Sequence, residues 1–434
     1  MNRYILLLGF LIVGGSTISL HAQECTSASC CDVDACFGAV DGGWCQSTML
    51  TGDWGEVRND LAESGITAQL DLVNFHFGVL RGGEEQEYQY AGHGDYVFNI
   101  DGGKALGQDG LFIKVRAEHR FGTGIAESAG VLLPPTVNGD LPTLASENLY
   151  LTNVMFTQFL SPKFAVFFGK IDTLDGDVNA FAHGRGKTQF SNVAFVANPI
   201  GLRTVPYSSL GAGFVILDDE GAEPIFTFTA INAKDTVRTS GFDELFEEGV
   251  ALAAEYRIPT NFFNKPGHQL FAGTWSSRNY AALNQDPRII LPQIPINRTD
   301  GSWSLYWNFD QFLHVDSCDP TKGWGLFGRA GIADSKANPI SYFLSLGVGG
   351  NSPLAGRAND RFGAGWFYSG TSDEIAPFLE LVTGPISNSQ GVELFYNIEV
   401  TPWFHMTPDL QVLVPAREDL DPALLVGARG VITL

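Results

Sequence analysis

The chain has 434 residues, with 26 Lys and Arg against 48 Asp and Glu, a formal net charge of −22 at pH 7, and only 17% charged residues. That composition argues against a disordered chain, which needs high charge and few aromatics, and against nucleic-acid binding, which needs a basic footprint. It also lacks the character of a helical membrane protein with spans of about 20 apolar residues, whereas 50 Gly and 32 Phe suit many short strands joined by turns.

Residues 1–22 read as a secretory signal peptide. Arg3 supplies the positive start, Tyr4 to Val13 is apolar but too short to span a bilayer, and Leu20-His21-Ala22 offers a small-residue cleavage end. Residues 23–50 follow as a cysteine-rich extension with Cys25, Cys30, Cys31, Cys36 and Cys45; the sixth cysteine, Cys318, stands alone far downstream. Export means an oxidising compartment, so all six are disulfide candidates. Their spacing lacks paired C-x-x-C motifs and no His stands near, which makes a structural metal the weaker reading. Sequence leaves the connectivity open.

From about residue 66 the pattern has period two. Candidate strands run at 68–79, 111–121, 148–158, 163–171, 224–232, 249–258, 268–277, 301–309, 323–333, 340–348, 361–368, 376–383, 392–400, 405–414 and 423–434. On 111–121, Lys114, Arg116, Glu118 and Arg120 share one parity while Ile113, Val115 and Ala117 share the other. On 301–309, Trp303, Leu305, Trp307 and Phe309 oppose Ser302, Ser304, Tyr306 and Asn308. On 392–400 the polar side carries Glu393, Asn397 and Glu399. A soluble β-sandwich or β-helix also alternates, but its outer face carries charge. Here the aromatic and aliphatic face reads as the outer one, as in a transmembrane strand. Trp366, Phe367, Tyr368, Trp403 and Phe404 near strand ends suit an interfacial girdle. The fold class is therefore all-β: a transmembrane antiparallel up-and-down β-barrel of about 16 strands over residues 51–434, wide enough for an aqueous channel.

In a barrel with an aqueous channel, selectivity lies in the constriction, where a small polar solute meets hydrogen-bond donors and acceptors and any aromatic faces. Lys114, Arg116, Glu118 and Arg120 form an inward charged ladder, the first candidate for a pore-lining site; a solvated wall without selectivity is its plain alternative. Glu255, Arg257 and Arg329 are further inward candidates. Trp275 offers either a stacking face or a girdle side chain. Asp172-Thr-Leu-Asp-Gly-Asp177 has the carboxylate spacing of a short Ca²⁺ loop but lacks its later Glu, and reads as a turn. Gly184-Arg-Gly-Lys-Thr188 fails as a phosphate loop because Phe181 stands where its first Gly is required. Neither H-E-x-x-H nor G-x-S-x-G occurs, and no catalytic residue or cofactor is expected.

Thr51-Gly-Asp-Trp-Gly-Glu-Val-Arg-Asn-Asp-Leu-Ala-Glu-Ser-Gly-Ile66 resembles the opening motif of the carbohydrate-selective porins, the OprB-type family. The resemblance continues at Phe168-Gly-Lys-Ile-Asp-Thr-Leu-Asp175, Asp360-Arg-Phe-Gly-Ala-Gly-Trp-Phe-Tyr-Ser-Gly370, Tyr396-Asn-Ile-Glu-Val-Thr-Pro-Trp403, Leu410-Gln-Val-Leu-Val-Pro415 and Gly427-Ala-Arg429. It implies a short amphipathic lead-in helix at 51–65, with Trp54, Val57 and Leu61 on one face, before the first strand. It also implies a 16-stranded porin in the outer membrane of a Gram-negative-type bacterium, passing sugars or similar small polar solutes by diffusion. The cysteine-rich extension departs from the family pattern. Expected partners are solutes and outer-membrane lipid, with a homo-oligomer and a surface partner for the extension left open. The competing functions are a general or ion-selective porin, a barrel enzyme such as a lipase, and a secreted β-rich binding or structural protein.

Overall fold

The computed structural model describes residues 47–434 apart from 222, 291–292, 318, 376–379 and 381–383. The expected signal peptide, all six cysteines and most of the expected strand 376–383 lie outside the described residues. The chain enters through a helix, α1 (Val57–Glu63). Trp54 precedes it at φ 53°, in a turn rather than on a helical face with Val57 and Leu61. The Arg58 guanidinium lies 4.0 Å above the Trp54 ring and donates to the Leu434 carbonyl at 2.6 Å, which ties the lead-in to the last strand.

Sixteen strands follow among the described residues: β1 (Ile66–Arg81), β2 (Tyr88–Asp101), β3 (Leu111–Gly122), β4 (Tyr150–Ser161), β5 (Phe164–Asp172), β6 (Ser208–Leu217), β7 (Pro224–Asn232) and β8 (Val250–Phe262); then β9 (Lys265–Ala281), β10 (Arg298–Val315), β11 (Gly323–Ala333), β12 (Ile340–Asn351), β13 (Arg361–Thr371), β14 (Ser389–Thr401), β15 (Phe404–Val414) and β16 (Ala423–Thr433). Each pairs antiparallel with the next, and β16 returns to β1 with Phe75 opposite Arg429, so the barrel is closed. Closure pairs every strand edge, which hydrocarbon demands because it offers no water to an unpaired N–H or C=O. β2 and β6 are strands that the period-two reading did not single out. Connections at the end carrying both termini are short, as at 162–163, 263–264 and 402–403; those opposite run long, at 123–149, 173–207 and 233–249.

The wall alternates as a membrane barrel must. On β3, Lys114, Arg116, Glu118 and Arg120 are all buried inside, and on β10 Trp303 and Leu305 stand exposed outside. Trp275 on β9 lies directly opposite Trp303 in register, 47% exposed on the outer wall, so the structure gives it a lipid-facing place and no place in the lumen. Phe367, expected in the girdle beside Trp366 and Tyr368, takes the other parity and packs inside at 3% exposure. The apolar core lies within the barrel. Segments 123–149 and 173–207 turn inward and bring Val137, Phe181, Phe190 and Phe195 against wall residues Phe327, Phe367 and Phe395. On β1 the usual polarity is reversed: Val73, Phe75, Phe77 and Val79 face this core, while Asn74 and His76 face out beside Tyr90 and Tyr88.

Candidate functional site

Segment 173–207 is shaped by local capping. The Asp172 carboxylate accepts from the Leu174 N–H at 3.0 Å and starts the turn 173–175, and the Asn192 side chain accepts from the Ala194 N–H at 3.0 Å and starts the turn 193–196. Between them Gly184, Arg185 and Gly186 all take positive φ, at 67°, 53° and 69°. That left-handed run swings the Arg185 guanidinium back toward β3.

There it completes an ion-pair network. Arg185 Nη2 meets Glu118 Oε1 at 2.8 Å, and its Nη1 meets Asp172 at 2.9 Å and Asp175 at 3.1 Å. Arg116 reaches Asp95 at 3.1 Å, Asp172 at 2.8 Å and Asp175 at 3.0 Å. Lys114 pairs with Asp175 at 2.5 Å, and Lys187 pairs with Asp71 at 2.7 Å and Asp95 at 2.6 Å. Tyr207 donates to Glu118 at 2.7 Å. Partial burial would lift the Asp175 carboxyl, but Arg116, Lys114 and Arg185 hold it well below the usual carboxylate range. Sequence reasoning supplied Lys114, Arg116 and Glu118 of this network but not the wall carboxylates Asp71 on β1 and Asp95 on β2. Four more members come from two motifs set aside on other grounds: the acidic stretch 172–177 supplies Asp172, at the end of β5, and Asp175, and the Gly184–Thr188 stretch supplies Arg185 and Lys187.

The remaining ladder and lumen candidates fall into two groups. Arg120 donates to the Gly139 and Gly122 carbonyls at 3.0 and 2.8 Å. Arg329 is fully buried, paired with Asp177 at 2.7 Å and donating to the Phe195 and Ala182 carbonyls at 2.8 Å each. Both therefore pin the inward segments, as do Glu393, which accepts from the Ser191 and Asn192 N–H groups, and Arg429, which donates to the Gly186 and Gln189 carbonyls. Glu255 and Arg257 on β8 are placed differently. They line a cavity of about 290 Å³ between segment 173–207 and the wall from β4 to β10. Glu255 Oε1 accepts from the Asp177 N–H at 3.0 Å and from the Tyr306 hydroxyl at 3.3 Å. Among the described residues no carboxylate lies within ion-pair distance of Arg257. Thr227, Thr229 and Thr274 add hydroxyls to the same cavity. A carboxylate, a guanidinium and several hydroxyls around a void can exchange hydrogen bonds with a polyhydroxylated solute.

Comparison with known proteins agrees with this architecture. The chain superposes on the high-pH structure of OprB from Pseudomonas putida with a TM-score of 0.77 at 19% identity, covering 90% of this chain and 99% of that one. Against the low-pH structure of the same protein the TM-score is 0.53 at 15% identity, with the same coverage. No curated protein matches the chain. The sequence profile described as "Carbohydrate-selective porin, OprB family" matches residues 85–434, well over half the length, and the chain therefore belongs to the OprB family of carbohydrate-selective porins.

Proposed function

We propose that the cavity beside Glu255, Arg257 and Tyr306 is the selective passage of a carbohydrate porin seated in the outer membrane of a Gram-negative-type bacterium. The observation that carries this reading is the pairing of a solute-facing void with an unpaired guanidinium, while the other inward cations candidate from sequence are consumed in holding the segment that narrows the lumen. A neutral sugar meets donors from Arg257 and acceptors in Glu255 and the Tyr306 hydroxyl oxygen. The site is a channel lining rather than an enzyme's centre.

The test is sugar block of ion current through the protein in planar bilayers. Arg257→Ala and Glu255→Gln are expected to raise the half-blocking glucose concentration about fivefold to tenfold, the worth of one or two lost hydrogen bonds, with the barrel still heat-modifiable on gels. Unchanged block in both variants would sink the assignment. Residues 1–22 and 23–50 complete the proposal as a removed signal and a disulfide-stapled extension, which also offers a surface for a partner. Mass spectrometry of the unreduced mature protein is expected to start after Ala22 and to find Cys25, Cys30, Cys31, Cys36, Cys45 and Cys318 oxidised; free thiols or bound metal would reject that part.

A further inference from the structure

The inward parity of β4 to β7 departs from the rule that a porin's lumen is polar. Met155 and Phe159 on β4, Val215 on β6 and Ile225 on β7 face the cavity and are half-buried, and Leu202 of the inward segment lines it from the other side at 46% exposure. The hydrogen-bonding groups Glu255, Arg257 and Tyr306 line the same void. One cavity thus joins the polar groups of Glu255, Arg257 and Tyr306 to a mainly apolar stretch in which Thr157, Thr227 and Thr229 are interspersed. A free hexose carries hydroxyls around most of its rim, and those turned toward Met155, Val215 and Ile225 lose water and find few partners. Phe159 and Phe167 offer the cavity aromatic faces, but ring stacking does not explain Met155, Val215, Ile225 or Leu202. A void of about 290 Å³ lies at the small end of the range for a ligand site.

We infer that the passage favours neutral glycosides bearing an apolar aglycone, aryl or short alkyl, over the free sugar. The sugar ring sits against Glu255, Arg257 and Tyr306, and the aglycone lies along Val215, Ile225 and Leu202. The inference rests on the carbohydrate-porin reading above and specifies which carbohydrates that passage selects.

The experiment compares three probes on the full-length protein in planar bilayers: glucose, phenyl β-glucoside and phenol. Phenyl β-glucoside is expected to block at about tenfold lower concentration than glucose, and more strongly than phenol. Val215→Thr is isosteric and Ile225→Thr is shorter by one methyl group; both are expected to bring the ratio of the two sugar probes toward one, with heat-modifiability reporting that the barrel still forms. Equal block by glucose and phenyl glucoside overturns the inference and leaves the sugar-porin reading intact. Phenol blocking as well as phenyl glucoside also overturns it, because the sugar is then not read. Block by neither sugar overturns both readings.

Discussion

Arg185 shows how much one side chain is asked to do in the lumen. It sits at φ 53°, a left-handed conformation that costs a residue with a Cβ roughly 1–2 kcal/mol, and from there it compensates Glu118, Asp172 and Asp175. Arg185→Ala leaves two fully buried carboxylates short of a partner, a loss on the order of 3–5 kcal/mol. The expected result is faster hydrogen exchange across 173–207 and a larger single-channel conductance; wild-type values for both would show that the network does not hold the segment. Asp140 gives the pH counterpart. Burial lifts its carboxyl from 3.8 to about 6, with Arg120 pulling the other way. A raised value means that the neutral form fits the folded state better. Its contribution is complete below 3.8 and is lost as pH rises through about 6. Segment 123–149 should therefore be better protected from exchange at pH 5 than at pH 8, after correction for intrinsic rates, and Asp140→Asn should abolish the difference. The direction of Lys114, Arg116, Glu118 and Arg120 was legible from period two alone. Their partners were not, because Asp95 lies on β2, which the period-two reading did not single out, and Asp175 and Arg185 reach them from a segment whose inward turn no local pattern announces.

At the level of strands, legibility followed side-chain contrast. β3 and β10 alternate charge or hydroxyl with hydrocarbon and are plain in the sequence. β2 and β6 are not, because Gly92, Gly94, Gly211 and Gly213 read as turn residues. In the barrel they do another job: a Cβ on Gly92 would stand 2.0 Å from the Phe121 ring, and one on Gly94 2.3 Å from the His119 ring. The neighbours' rings lie flat over the bare backbone. At Gly213 a Cβ would meet the Phe228 carbonyl oxygen at 2.1 Å and the Phe167 ring at 2.4 Å, and a backbone atom in a paired strand cannot step aside. Gly213→Ala is expected to destabilise the barrel by about 1–3 kcal/mol, read as a lower temperature for the gel shift between folded and unfolded bands. An unchanged midpoint would refute the close-packing account. β1 failed the polar-inside expectation for a different reason. Phe75 and Phe77 face in because the lumen there holds protein, not water.

The whole molecule is a closed wall built around its own core, and that arrangement was only half visible beforehand. Closure follows from hydrocarbon outside and the number of strands from the count of alternating runs; what fills the inside depends on contacts between residues far apart in sequence. Replacing 178–196 with a short Gly-Ser linker should leave the strand ladder intact while conductance rises severalfold and sugar block disappears; loss of heat-modifiability instead would show that the wall cannot stand without its filling. The seam between β1 and β16 adds a constraint in time. Phe75 and Phe77 on one side of that seam, and Leu425, Val431 and Arg429 on the other, all hold the inward segments. The last strand pair to meet in a closed barrel thus has no finished inner surface until those segments have docked. Zipping the seam and seating the filling become one cooperative event, so an assembly machine that releases the barrel early would release it both open and empty.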